Sequence, residues 1–202
     1  MESLRYHNTN CYFARSRIDG SLLAIDAGWP STLYEYKRAM KDVGLSFDRI
    51  ALAIVTHFHM DHAGLMGEFQ AAGIRCLAFE NQGGRVVEDM ERIIARSSPA
   101  YRRIDMTRLE AARTEASRGL LAALGFMGEV LITPGHSPDS VSFLSDEGEA
   151  VIGDLPPLGQ YMPDDLVTTA SYRLLESKGA TAFLPAHAPP FTIGAGQGGS
   201  AS

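Results

Sequence analysis

Ile50-Ala51-Leu52-Ala53-Ile54-Val55-Thr56-His57-Phe58-His59-Met60-Asp61-His62 is the stretch on which the reading of this chain turns. Its first six residues form an unbroken apolar run, the pattern of a strand buried on both faces. Three imidazoles and a carboxylate then fall within six residues, too dense a cluster for packing to explain. Neutral imidazole and ionised carboxylate are first-choice ligands for zinc and its neighbours. His62 opens an amphipathic stretch with Leu65, Phe69 and Ala72 on one face, which Gly73 can stop. The order is strand, ligand loop, helix.

The pattern recurs along the chain. Val130-Leu131-Ile132-Thr133 leads through Pro134-Gly135 to His136, and Ala150-Val151-Ile152 leads through Gly153 to Asp154. Thr181-Ala182-Phe183-Leu184 leads through Pro185-Ala186 to His187, and Leu22-Leu23-Ala24-Ile25 runs into Asp26. Five apolar strands therefore each end in a candidate ligand or in a residue that orients one. In α/β sheets, sites collect at the edge where strand ends converge.

With these elements in place, the chain resembles the metallo-β-lactamase superfamily of binuclear metallohydrolases. The resemblance runs from about Asn10 to about Pro190 and rests on the strand ending in Asp26, the His57–His62 motif, His136 in Thr-Pro-Gly-His-Ser, Asp154 in Ile-Gly-Asp-Leu and His187 in Pro-Ala-His. It implies an α/β fold, the four-layer αββα sandwich of that family, with a helical insertion around 84–124. Carried over by position, it implies His57, His59 and His136 at one metal, Asp61, His62 and His187 at a second, and Asp154 bridging them. Asp26 corresponds to the family's aspartate that organises the ligand loops without touching metal, a need general to ligating histidines. His62 stands where some β-lactamases use arginine or cysteine. His59, where a flavin-linked di-iron branch has glutamate, argues against that branch.

The 202 residues are 45% hydrophobic, enough for one substantial core, and the expected organisation is a single domain over 1–193 with a Gly/Ser-rich tail at 194–202. The net charge of −6 disfavours electrostatic capture of nucleic acid. No stretch approaches the roughly 20 apolar residues of a membrane span, and a cytoplasmic location is expected. Cys11 and Cys76 read as two ordinary buried thiols.

Strands are expected at about 10–15 and 22–26, joined by an Ile18-Asp19-Gly20 turn, and near 75–79. A helix is expected after Thr32, with Thr32 and Glu35 as a capping box and Leu33, Tyr36, Met40 and Val43 on one face. Between Gly84 and Leu124, Val86, Val87, Met90 and Ile94 repeat at helical spacing, and so do Leu109, Ala112, Ala116 and Leu120. Eight arginines lie from Arg85 to Arg118 with six acids among them, including Glu88 four residues before Arg92. They read as a solvated, salt-bridged face. Tyr101 and Met106 are candidate pocket residues, and a further helix is expected around 166–178.

Tyr161 follows the expected bridging ligand by seven residues, in Pro156-Pro157-Leu158-Gly159-Gln160-Tyr161. Its hydroxyl is a candidate oxyanion donor, and some lactone-cleaving relatives use a tyrosine in a comparable place. His7 lies outside every motif. Ser137 and Ser140 are expected to satisfy backbone groups in the turn after His136.

The expected mechanism is hydrolysis by a metal-bridging hydroxide on a small ester, lactone, thioester, β-lactam or phosphodiester. Two divalent ions, zinc first with iron or manganese as alternatives, would be held. Asp61 serves as ligand and as a group that orients the hydroxide or passes its proton. Two other classes stay open: a mononuclear iron persulfide-type dioxygenase using His57, His136 and Asp154, and a nuclease, for which the arginine helices are the only basic track.

Overall fold

The computed structural model describes residues 1–162 and 164–192. Strands β1 (Glu2–Tyr6), β2 (Thr9–Arg15), β3 (Leu22–Ile25), β4 (Ile50–Ile54), β5 (Arg75–Phe79) and β6 (Leu109–Ala112) form one sheet in that order. β1 to β3 are joined antiparallel, whereas β3 to β6 run parallel. The second sheet has the order β11 (Phe191–Thr192), β10 (Ala182–Pro185), β9 (Glu149–Gly153), β8 (Val141–Ser145), β7 (Gly128–Ile132). β9 and β10 pair in parallel and the other pairs are antiparallel. The helices are α1 (Leu33–Asp42), α2 (Met60–Ala63), α3 (Met66–Ala71), α4 (Gly84–Ser97), α5 (Thr114–Ala123) and α6 (Leu166–Ser177).

Period-two alternation in continuously apolar strands builds three cores at once. In β3, Leu22 and Ala24 face an outer core with Tyr36 and Met40 of α1, Phe69 of α3 and Ile94 of α4, while Leu23 and Ile25 face inward. Leu52, Ile54, Leu77 and Phe79 join them against Val130, Phe143, Val151 and Leu184 of the second sheet. Leu131, Ala150, Ile152 and Phe183 point the other way, onto Tyr172 and Leu175 of α6. The result is helix, sheet, sheet, helix. Each large side chain fully buried between these layers contributes about 1.5–3 kcal/mol. Cys11 and Cys76 are buried and unbonded.

Four local expectations change. Residues 109–112 are a strand: Leu109 packs on the outer core and Ala112 on the inter-sheet core, opposite faces that one helix stripe would not reach. Parallel pairing with Cys76–Phe79, clamped by Arg75 donating to Glu110 at 2.9 and 2.7 Å, overrides the alanine-rich local preference. The 84–124 insertion is therefore α4, then β6, then α5. The Thr32–Glu35 capping box does not form, because the Thr32 hydroxyl donates to Trp29 O at 2.7 Å and the helix lacks a side-chain cap. Val43, at the end of α1, is 51% exposed. The motif helix is split at Gly64-Leu65 into α2 and α3 because the loop after β3 pairs with it: Gly64 N donates to Gly28 O and Leu65 N to Ala27 O.

Four of the eight arginines form ion pairs among the described residues: Arg92 with Asp89 at 2.9 Å rather than with Glu88, Arg103 with Glu91, Arg113 with Glu115, and Arg118 with Glu129 and Asp146 beyond the segment. Among the described residues no helix is long and apolar enough to cross a membrane. The tail expected at 194–202 lies outside the described residues.

Candidate metal centre

The five strand ends meet. Asp26 follows β3, His57 follows β4, His136 follows β7, Asp154 follows β9 and His187 follows β10. α2 adds Asp61 and His62, and His59 sits at its N-terminal boundary. The ligand-type atoms fall into two sets, each within 4.8 Å: His57, His59, His136 and Asp154 in one, Asp61, His62 and His187 in the other. All seven residues proposed from sequence are thus brought together.

Asp154 divides its two oxygens between the sets. Its Oδ2 lies 3.9 Å from His57 Nε2 and 3.6 Å from His136 Nε2, while its Oδ1 lies 3.3 Å from both His62 Nε2 and His187 Nε2. Asp61 Oδ2 is 2.9 Å from His187 Nε2 and 3.5 Å from His62 Nε2, and His59 Nδ1 is 3.0 Å from His136 Nε2. Atoms each about 2.0–2.2 Å from one tetrahedral cation would be roughly 3.3–3.6 Å apart, close to most of these separations. His57 Nε2, His62 Nε2 and Asp154 Oδ1 are buried and lack a hydrogen-bond partner. Each such orphan costs about 1–3 kcal/mol, and three aimed at one place fit cation binding by this donor set.

The outer residues fix how the ligands point. Asp26, with φ of +70° and 1% exposure, accepts from Thr56 N at 2.7 Å, Thr56 Oγ1 at 2.9 Å and His62 Nδ1 at 2.9 Å. A proton on His62 Nδ1 leaves the Nε2 lone pair facing the site. His187 Nδ1 donates to Asn8 O at 2.8 Å, with the same effect. Gly153 (φ +55°) brings β9 against the Thr56 side chain, where a Cβ would sit 2.7 Å from Thr56 Cβ. That close approach delivers Asp154 to the His57 loop.

Sequence reasoning misses several of these supports. Asp139 Oδ2 accepts from Phe58 N at 2.7 Å, and Gln82 Nε2 donates to Val55 O at 3.0 Å and Asp139 O at 3.2 Å. Their partners are distant in sequence, so no local spacing marks them. Of the two serines after His136, Ser140 satisfies a backbone group, its Oγ accepting from Ser137 N at 3.3 Å, whereas the Ser137 hydroxyl pairs with Ser140 Oγ at 2.8 Å.

Burial and neighbours perturb the site's acids and bases in the metal-free chain. Burial, then the charge of His62, drives His57 well below the usual imidazole range and keeps it neutral. Burial also opposes charge on His62, yet Asp26 and Asp154 outweigh it and raise its pKa to about 10. Burial lowers His136 against the pull of Asp154. Burial works against the Asp154 carboxylate too, but the His62 ring 3.3 Å from Oδ1, with His187 and His136, holds its pKa below the usual range.

A cleft of about 460 Å³ opens beside His59 and Asp61, with Phe58 and Met60 on one side and Val86, Met90 and Ile93 of α4 on the other. α5 does not line it. A second cleft, of about 310 Å³, is lined by His136, Asp154, His187, Pro157 and Gln160. Tyr161 is not among the residues of either. Its ring stacks on Tyr172 at 6.0 Å and 10° and packs on the α6 core. Tyr101 packs on the outer core and lies 3.4 Å from Glu91, and Met106 is 45% exposed; neither lines a cleft beside the site. His7, exposed with φ of +51°, lies edge-on to Tyr6 and near Trp29.

The family model of the metallo-beta-lactamase superfamily matches residues 4–155. A probable metallo-hydrolase, YqgX of Bacillus subtilis (strain 168), is 30% identical over 171 residues, which cover 83% of this chain and 75% of that protein. Among solved structures, the metallo-beta-lactamase family protein TTHA1429 of Thermus thermophilus superposes with a TM-score of 0.67 at 20% identity, covering 91% of this chain and 70% of that one. TTHA1623 in a di-iron-bound form gives 0.67 at 24% identity, covering 95% and 93%. BLEG-1 B3 metallo-beta-lactamase gives 0.63 at 18% identity, also covering 95% and 93%. A fold of two facing sheets with helices outside, a His/Asp cluster at their strand ends and a family match over most of its length lead to one conclusion: the chain belongs to the metallo-beta-lactamase superfamily.

Proposed function

We propose that this protein is a binuclear metal-dependent hydrolase acting on a small organic substrate. In this reading His57, His59 and His136 hold one divalent cation, Asp61, His62 and His187 hold the other, and Asp154 is shared. The observation that carries it is the division of the Asp154 oxygens, Oδ2 toward His57 and His136 and Oδ1 toward His62 and His187. Cations so held supply Lewis acidity and an activated water near neutral pH.

The chain's own residues do the rest. Asp26 and Asn8 O hold the His62 and His187 rings in the tautomer that offers Nε2. The Asp61 carboxylate, beside His187 and at the mouth of the larger cleft, is placed to accept a proton from an attacking water. Zinc suits the histidine-rich donor set. Iron is the alternative, supported by the di-iron form of TTHA1623. The metallo-hydrolase name of the Bacillus relative supports the reaction class, and free buried thiols accord with a reducing, cytoplasmic setting. Convergence of Asp61, His62 and His187 gives the one-metal oxygenase no advantage.

The test is a screen of esters, lactones, thioesters, β-lactams and phosphodiesters with protein before and after chelation and after metal is restored. Hydrolysis that is lost on chelation and regained with metal is expected. Turnover surviving complete removal of metal, or oxygen uptake with a persulfide and no hydrolysis, would overturn the proposal.

A further inference from the structure

We infer that the cleft between the His59–Asp61 loop and α4 seats an uncharged, apolar arm of the substrate; what happens at the head of that arm rests on the hydrolase proposal above. α4 carries more apolar surface than its packing uses. Val87, Met90 and Ile94 are buried in the outer core. Val86, half-buried against the same core, and the edge of Met90 line the cleft together with Ile93, at i, i+4 and i+7, and Ile93 is the one of the three that the core leaves uncovered. Ile93 is 61% exposed there.

The opposite wall is Phe58 and Met60, residues interleaved with the ligands His59 and Asp61. A group held over the ligand cluster would therefore have its substituent directed along an apolar trough. At about 460 Å³ the trough falls within the roughly 300–1,000 Å³ of small-molecule sites.

Charge narrows the class. The charged side chains of the lining are Asp61, Asp89 and Asp139, with His59 as the titratable base, and neither lysine nor arginine is among them. Asp139 already accepts from Phe58 N and Asp89 from Arg92. An anionic arm would meet carboxylates without a free cation in the lining, so nucleotides and nucleic acid are poor occupants. A neutral apolar arm gains by burial, roughly fourfold in affinity per methylene.

The experiment uses metal-loaded protein and the n-alkanols from butanol to octanol, followed by the methyl NMR signals of Val86, Met90 and Ile93. Saturable shifts at these methyls are expected, with affinity rising about three- to fourfold per methylene. Ile93→Ser should weaken octanol binding severalfold, whereas Ile18→Ser, on another exposed isoleucine, should not. Absence of saturable shifts, equal affinity for butanol and octanol, or equal losses in the two variants would overturn the assignment. Hydrolysis of n-alkanoyl esters is measured in parallel. Alkanol binding without cleavage of any tested bond type would sink the hydrolase proposal and leave the cleft assignment standing. Cleavage that ignores chain length, with alkanols unbound, would do the reverse.

Discussion

Asp26 Oδ2 and His62 Nδ1 are 2.9 Å apart, both almost wholly buried, and 36 residues separate them in the chain. That bond decides which nitrogen of His62 is free, so a carboxylate outside the ligand cluster controls the donor set within it. Thr56 spends both its N–H and its hydroxyl on the same Asp26 carboxylate, which holds that carboxylate still.

Asp26→Asn should therefore act through His62. An amide can offer its N–H side to the ring, leaving Nδ1 as acceptor and moving the proton to Nε2, the wrong tautomer for a ligand. Metal affinity measured by chelator competition should fall about 10- to 100-fold. Unchanged affinity in a folded variant would show that Asp26 does not set the tautomer.

The raised pKa of His62 has a sign that can be checked. In the metal-free fold it is about 10, so near pH 8 the ring carries a proton that a cation must displace. Loading chelator-stripped protein at pH 8 should release close to one proton per chain from this residue, read with an indicator dye, and less as pH passes 10. The same shift makes the His62 contribution to metal-free stability complete below the ordinary imidazole value near 6.5, and lost as pH rises through 10. Metal uptake with no proton release at pH 8 would contradict the charged Asp26–His62 pair.

Tyr161 and Asp154 should differ sharply. Tyr161→Phe keeps the ring that stacks on Tyr172 and should leave kcat within about twofold of wild type, whereas loss of a true oxyanion donor costs about 10²–10³. Asp154→Ala should remove nearly all turnover, because one carboxylate faces both ligand sets. A large loss in Tyr161→Phe with normal metal content would restore the oxyanion role.

Gly153→Ala tests the strand end that delivers Asp154. The added methyl would crowd the Thr56 side chain in a left-handed backbone that disfavours alanine. Overpacking and backbone strain together should destabilise by about 2–5 kcal/mol, measured by urea unfolding. A variant as stable as wild type would mean that Thr56 yields freely.

Much of this architecture is legible because apolar strands and their terminal ligands are contiguous in sequence, as in Ile50–His57 and Ala150–Asp154. Pairing across the chain is what local pattern hides. Leu109–Ala112 reads as helix by composition, and becomes an edge strand only because β5 is there to pair with it. β1, absent from the expected strands, does carry the alternation of a half-buried strand in Ser3-Leu4-Arg5-Tyr6, with Leu4 and Tyr6 its buried residues. The supports of the ligand loops bridge 81 residues from Asp139 to Phe58 and 179 from His187 to Asn8, so spacing cannot announce them. Tyr161 attracts a catalytic reading by its distance along the chain from Asp154, whereas its ring stacks on Tyr172 of α6, a contact that local spacing does not announce.

The central claim, two cations sharing Asp154, is tested most directly by elemental analysis of metal-replete wild type and Asp154→Ala, with folding checked by circular dichroism. Close to two divalent cations per wild-type chain and one or fewer in the variant are expected. A single cation per wild-type chain, or two retained without Asp154, would contradict the account.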